Sequence, residues 1–254
     1  FDRVRFLWEE ALSMGKEMTQ PLLLTECVPG GTTTAQAVMN GLGISVEDLM
    51  GSSIINPPID LKRNLVEEGL RNADLGENPL SQNVIAAVGD PFQPVAVGLI
   101  LGAREVGLPV LLGGGTQMIA ILSLALRAIK PSKRSYFLSG VSIATTAWLA
   151  EDRQLLTNGD RSSFERLINL VEKHFNVEIL AFSSGLKFIN STKKELKDYE
   201  KGYVKEGVGA GAISFLAQVN GVSCSQLIKA CELAIDQFYS IKCKWSSHLN
   251  WNEY

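Results

Sequence analysis

The sequence predicts an α/β fold, a mostly parallel sheet with helices on both faces. Three observations carry this. Short apolar runs of strand length recur along the chain and alternate with longer amphipathic stretches. Several of these runs are apolar throughout, as strands covered on both faces must be. Each run ends in a cluster of glycine and small polar residues, where open parallel sheets bind ligands beyond the carboxyl ends of their strands.

Taken in order, Phe1 to Met18 reads as an amphipathic helix and Leu22 to Thr25 as a short strand. The turn Glu26-Cys27-Val28-Pro29-Gly30-Gly31 leads into a hydroxyl-rich helix that ends near Gly41-Leu42-Gly43. Ser45 with Asp48 resembles a capping box. Ile54 to Pro58 must be extended, because proline restricts the residue before it. Leu61 to Asn72 is a charged amphipathic helix. Val84 to Val88 is an apolar run expected as a strand, followed after Gly89-Asp90-Pro91 by a helix to Val106. Pro109 to Leu112 is the next strand, broken at Gly113-Gly114-Gly115 before a helix from Thr116 to Ile129. Ser135 to Leu138 is expected as another strand, ending at Ser139-Gly140. A helix from Phe164 to Phe175 and a strand from Val177 to Phe182 follow. The tail reads as three helices, Lys193 to Lys201, Ala210 to Val219 and Ser223 to Tyr239. The residues from 240 onward have no clear period.

Composition narrows the function classes. Across 254 residues the net charge is −3, with 46% apolar and 20% charged residues, which is ordinary for a soluble globular protein and gives no footprint for nucleic acid or an anionic membrane. The longest apolar stretches, Val95 to Ala103 and Ile119 to Ile129, are too short to span a bilayer. Cys27, Cys224, Cys231 and Cys243 show no CxxC spacing, so neither a zinc site nor a disulfide framework is expected. No secretory signal is visible, and a reducing cytoplasm is the expected compartment. The chain starts at Phe1, so a preceding segment is expected.

Five clusters fall at the expected carboxyl edge: Glu26 to Thr34, Gly89-Asp90, Gly113 to Gln117, Ser139-Gly140 and Ser183 to Gly185. The first is the most informative. Gly30 and Gly31 let the backbone approach a ligand, and the free N–H groups of the first helical turn favour an anion. Thr32, Thr33 and Thr34 add hydroxyl donors, and Glu26 is an acid that must face a polar group. Neither glycine loop is a nucleotide motif, since no GxxxxGK[ST] or strict GxGxxG is present. Gly113 to Gly115 could be a tight turn and nothing more. Asp90 either caps the helix at Pro91 or faces a ligand. With only His174 and His248, histidine-based catalysis has little support. In the segment Val204 to Ala212, Glu206 lies between Lys205 and Gly207, before small residues that open an apolar helix. It suits a proton acceptor, or a helix-start acid that complements the dipole.

The segments Thr25 to Thr34 and Val204 to Gly211 together resemble the nicotinate-nucleotide:dimethylbenzimidazole phosphoribosyltransferases of cobamide synthesis, closest to the archaeal and cyanobacterial branch. Gly89 to Gln93 and Gly113 to Met118 look like further blocks of that branch, and the similarity runs from about Leu22 to about Tyr239. The resemblance implies a doubly wound α/β domain with a small helical part from the chain ends, a homodimer, and sequence preceding Phe1. It implies transfer of phosphoribose from nicotinate mononucleotide to an aromatic base, with no metal and no cofactor. Glu206 matches the family's proton acceptor. Glu26 matches an acid that polarises the base or assists Glu206. Gly30 to Thr34 would hold the nucleotide phosphate. Gly113, Gly114, Gly115, Thr116, Gln117, Ser139 and Gly140 would line the ribose and nicotinate end, with Asp90, Lys205, Gly207 and Gly209 also against substrate. Cys27-Val28-Pro29 departs from the bacterial loop, and the glycine-rich turn after Leu112 from an acidic one. These changes leave the acceptor open between dimethylbenzimidazole, another benzimidazole and adenine. A non-catalytic nucleotide sensor, or an enzyme for an unrelated base, are the other readings.

Overall fold

The computed structural model describes residues 1–46, 49–50, 58–152, 161–203 and 205–246, the last four as backbone only. In chain order the elements are α1 (Asp2–Glu17), β1 (Leu22–Thr25), α2 (Gly31–Gly41), α3 (Ile59–Asn72), α4 (Ser81–Val88), α5 (Phe92–Glu105), β2 (Val110–Gly113), α6 (Thr116–Ala128), α7 (Arg134–Leu138), β3 (Val141–Thr145), α8 (Ala147–Ala150), α9 (Ser163–Phe175), β4 (Leu180–Ser183), α10 (Lys194–Glu200), α11 (Ala210–Val219) and α12 (Cys224–Ser246).

The four strands form one parallel sheet in the order β1-β2-β3-β4, flanked by helices. Alternation along each strand sorts its side chains between two faces. Leu24, Val110, Leu112, Val141 and Ile143 point into the main core, where α6 lies buried from Met118 to Leu126. A helix apolar on all sides belongs in such an interior. The other face carries Gly113 and Phe182 and is covered by α11, whose Phe215 stacks on Phe182 at 4.7 Å. Trp8 ties α1 into the main core through α5. The two helices touch backbone to backbone, since a Cβ on Gly102 would lie 2.3 Å from the Leu12 carbonyl oxygen. A second, smaller cluster forms around Leu186, Phe188 and Leu196, with Trp148, Tyr199 and the inner face of α12.

Two expected strands are helices. Val84 to Val88 belongs to α4, where burial falls on Ser81, Val84 and Ile85 while Ala86 and Ala87 are exposed. That spacing is helical; a five-residue apolar run does not by itself distinguish the two states. Ser135 to Leu138 forms α7, and the strand begins later, at Val141. Ser139 and Gly140 therefore precede β3 and lie at the amino edge of the sheet, where the Gly140 carbonyl accepts from Val110 N at 2.8 Å. The Ser139 hydroxyl donates to Tyr136 O at 2.7 Å. The space a Cβ would take at Gly140 is filled by the guanidinium of Arg104, which caps the carbonyls of Phe137, Leu108 and Tyr136. The expected cap at Ser45 and Asp48, and the extended run before Pro58, fall largely outside the described residues.

Candidate functional site

The carboxyl ends of β1, β2 and β3 open into a cleft whose envelope, open solvent included, is about 430 Å³. Glu26 comes from the turn after β1 and Thr32 from the first turn of α2; Gly113 ends β2, Gly114 and Gly115 form the turn after it, and Thr116 and Gln117 open α6. Leu149 comes from α8, and Lys205 to Gly209 from the segment that leads into α11. Ser139 and Gly140 are absent from it, being at the opposite edge of the sheet.

Glu206 is the most heavily held group in the cleft. Its Oε2 accepts from the Thr145 hydroxyl and from Thr146 N, each at 2.8 Å. Its Oε1 accepts from Gly207 N at 3.1 Å and Gly211 N at 3.3 Å. Two of these donors stand at the end of β3 and one is in the first turn of α11, so the carboxylate joins helix to sheet. Burial nevertheless pushes its pKa above the ordinary carboxylate value, against the pull of the four hydrogen bonds. The longer bonds are on Oε1, which leaves that oxygen the less engaged. The close approach depends on Gly211, where a Cβ would sit 2.0 Å from the Thr145 carbonyl carbon.

Glu26 contributes a second carboxylate. Its Oε2 accepts from Val28 N at 2.6 Å, and its Oε1 has no partner among the described residues. The turn it begins is tight because Gly30 is left-handed, with φ of 74°. Of the three threonines, Thr32 lines the cleft. The Thr34 hydroxyl turns away and donates to Asp90 Oδ2 at 2.5 Å. Asp90 Oδ1 accepts from Phe92 N and Gln93 N at 3.0 and 3.2 Å. Asp90 thus caps α5 with one oxygen and anchors α2 with the other. It also lines a smaller neighbouring cavity of about 210 Å³, with Val28, Phe92 and Ile121; Glu26 and Gln117 form the wall common to both. Gly30 and Thr33 line neither cavity.

Several residues here were not singled out from the sequence. Asp152 pairs with Lys205 at 2.5 Å, both side chains largely buried and Lys205 lining the cleft. The Thr146 hydroxyl donates to the Lys205 carbonyl, clamping the segment before Glu206 onto the end of β3. Thr145 and Thr146 were missed with their strand, although the alternating Val141-Ser142-Ile143-Ala144-Thr145 run was a usable signal. From α8, Trp148 stacks on Phe188 with ring centroids 5.1 Å apart and meets Tyr199 at 4.8 Å. The Tyr199 phenol is pushed up by burial and by the charge of Glu206. Among the described residues no group of three or more His, Cys, Asp and Glu side chains could hold a metal ion, and no helix is long and apolar enough to cross a membrane.

Comparison with known proteins gives three findings. A phosphoribosyltransferase family model matches residues 7–150. A UPF0284 protein of Prochlorococcus marinus strain MIT 9313 is 54% identical over 92% of the chain, and one of Picosynechococcus sp. PCC 7002 is 36% identical over 92%. The chain spans 58% and 62% of the length of these two curated relatives. Among solved structures, CobT from Thermus thermophilus superposes with a TM-score of 0.54 at 16% identity, over 89% of this chain and 56% of that one. The nicotinate-nucleotide-dimethylbenzimidazole phosphoribosyltransferase of the same organism gives 0.52 at 16%, over 87% and 56%. At that identity the likeness is one of fold.

Proposed function

The chain belongs to the phosphoribosyltransferase family, and we propose that it transfers phosphoribose from nicotinate mononucleotide to a benzimidazole-type or purine base. The products are nicotinate and an α-ribazole phosphate or its base analogue, used in assembly of the lower nucleotide loop of cobamides. The observation that carries this reading is Glu206, a carboxylate of raised pKa seated in a cleft between a glycine turn and the start of α11. The choice of substrates is supported by the Thermus neighbour, a nicotinate-nucleotide-dimethylbenzimidazole phosphoribosyltransferase.

In this reading the base nitrogen attacks C1′ of the ribose while the bond from C1′ to the nicotinate nitrogen breaks. The bonding pair returns to the pyridinium ring, which leaves as neutral-ring nicotinate. The N–H proton of the acceptor passes to Glu206 Oε1, the oxygen with the longer hydrogen bonds. A carboxylate whose pKa is raised holds that proton better near neutral pH. Thr32, at the start of α2, would meet the nucleotide phosphate, favoured by the helix dipole, while the Gly31 and Thr33 amides already donate to the Val28 and Gly30 carbonyls. Lys205, paired with Asp152, adds a cation to the lining of the same cleft. Glu26, with Oε1 open, would polarise the acceptor or assist Glu206. A homodimer acting in the cytoplasm belongs to the same proposal.

The test is mass spectrometry of the purified chain incubated with nicotinate mononucleotide and a mixture of dimethylbenzimidazole, benzimidazole and adenine. Release of nicotinate with one α-ribotide is the expected result, and it also identifies the acceptor. Saturable nucleotide binding without release of nicotinate would replace this reading with that of a sensor.

A further inference from the structure

Val208 has a backbone that its side chain disfavours. Its φ is 50°, and Asn176 is the other described non-glycine residue with positive φ. Asn176 ends α9, where asparagine adopts this conformation readily. For a β-branched residue the left-handed region is an outlier, held only where the surroundings impose it. Glycine would occupy the position without strain, and glycine flanks it on both sides, at Gly207 and Gly209. The strain brings the valine to the lip of the cleft, where it lines the cavity and remains 58% exposed.

The rest of the lining gives that exposure a meaning. Most of the cleft wall is charged, hydroxyl- or amide-bearing, or bare glycine backbone, and its aliphatic side chains are Leu149 and Val208. Leu149 is buried behind Gly115, where a Cβ would come within 2.3 Å of its Cδ2. Gly113, Gly114 and Gly115 line the cleft but are themselves buried, so Val208 is the aliphatic group of the lining still open to be covered. An exposed isopropyl group in an otherwise polar lining suits the face of an aromatic ring, which gains most by burying apolar area.

We propose that Val208 is a specificity-determining residue whose isopropyl group forms one wall of a slot for an aromatic ring at the mouth of the cleft. This deepens the function proposed above and rests on an aromatic substrate entering that cleft.

The experiment compares the full chain with Val208→Gly and Val208→Thr. Titration calorimetry measures binding of nicotinate mononucleotide, of dimethylbenzimidazole and of ring-less ribose 5-phosphate, and turnover is followed in the same preparations. Val208→Gly should weaken at least one of the two aromatic ligands about tenfold, the scale of one aliphatic side chain's burial, and leave ribose 5-phosphate unchanged. Its thermal midpoint should rise as the strain is relieved. Val208→Thr, which keeps the shape and the strain, should weaken the same ligand by about threefold, since part of the apolar contact is kept. Equal losses for ring-bearing and ring-less ligands, no loss for either, or no aromatic binding by the unaltered chain would each overturn the proposal. Aromatic binding that depends on Val208, without release of nicotinate, would instead sink the transfer reaction and leave the slot standing.

Discussion

Gly211→Ala tests the junction on which the site depends. Gly211 is the second residue of α11, so helical backbone suits alanine there and the whole effect must come from space. The added Cβ would lie 2.0 Å from Thr145 C, 2.2 Å from Thr146 N and 2.5 Å from Thr145 O. All three are backbone atoms, so no rotamer change relieves the clash. Ordinary contact begins near 3.4 Å, and moving from 2.0 to 3.4 Å requires α11 to retreat by roughly 1.4 Å. Such a shift breaks the 3.3 Å bond from Gly211 N to Glu206 and spoils the packing of Ala212 over Gly113. Overpacking of this kind costs about 1–3 kcal/mol, and loss of a hydrogen bond to a charged group about 1.5–3 kcal/mol. We expect a loss of about 3–5 kcal/mol in urea denaturation, together with loss of turnover. Gly221→Ala is the control. That glycine has φ of 88° but no atom within 4 Å of the added Cβ, so only the left-handed backbone opposes it, at about 1–2 kcal/mol. The reasoning is refuted if Gly211→Ala costs no more than Gly221→Ala.

Three further outcomes are expected. Glu206→Gln should retain nucleotide binding and lose about a hundredfold or more in turnover, the usual range for a general base. The protonated acid cannot accept a proton, so kcat/KM falls as pH drops through the Glu206 pKa. Because burial raises that pKa, the acidic limb should lie above 4.5 and vanish in Glu206→Gln, and a limb at or below 4.5 would count against this base. Thr34→Val removes the donor at 2.5 Å from Asp90 and leaves one carboxylate oxygen short of a partner. A loss of about 1–3 kcal/mol is expected in urea denaturation, and an unchanged midpoint would show that the bond contributes nothing.

Legibility in the sequence followed the range of the interactions involved. The passage from β1 through the glycine turn into α2 was readable because its causes are local: an apolar run, a left-handed glycine and hydroxyl residues in the first helical turn. Glu206 stood out for the same reason, as an acid among small residues at a helix start. The strands expected at Val84 to Val88 and Ser135 to Leu138 failed because apolar runs of three to five residues suit either period. Ser81 shows what decides such a case, since its hydroxyl donates to the Leu124 carbonyl, far along the chain, and seats α4 against α6. Misplacing the third strand then moved Ser139 and Gly140 to the wrong edge and hid Thr145 and Thr146.

By itself the sequence determined the class of fold, a parallel sheet flanked by helices, and the two segments that carry the carboxylates Glu26 and Glu206. Periodicity, glycine conformation and helix capping are properties of neighbouring residues. Only the tertiary structure decided which of those groups face one cleft, because contact between distant segments depends on strand register and helix approach. It brought Asp152 to Lys205, and Thr145 and Gly211 to opposite oxygens of Glu206. It also paired Thr34 with Asp90, a satisfied bond between two groups that separately resembled ligand donors.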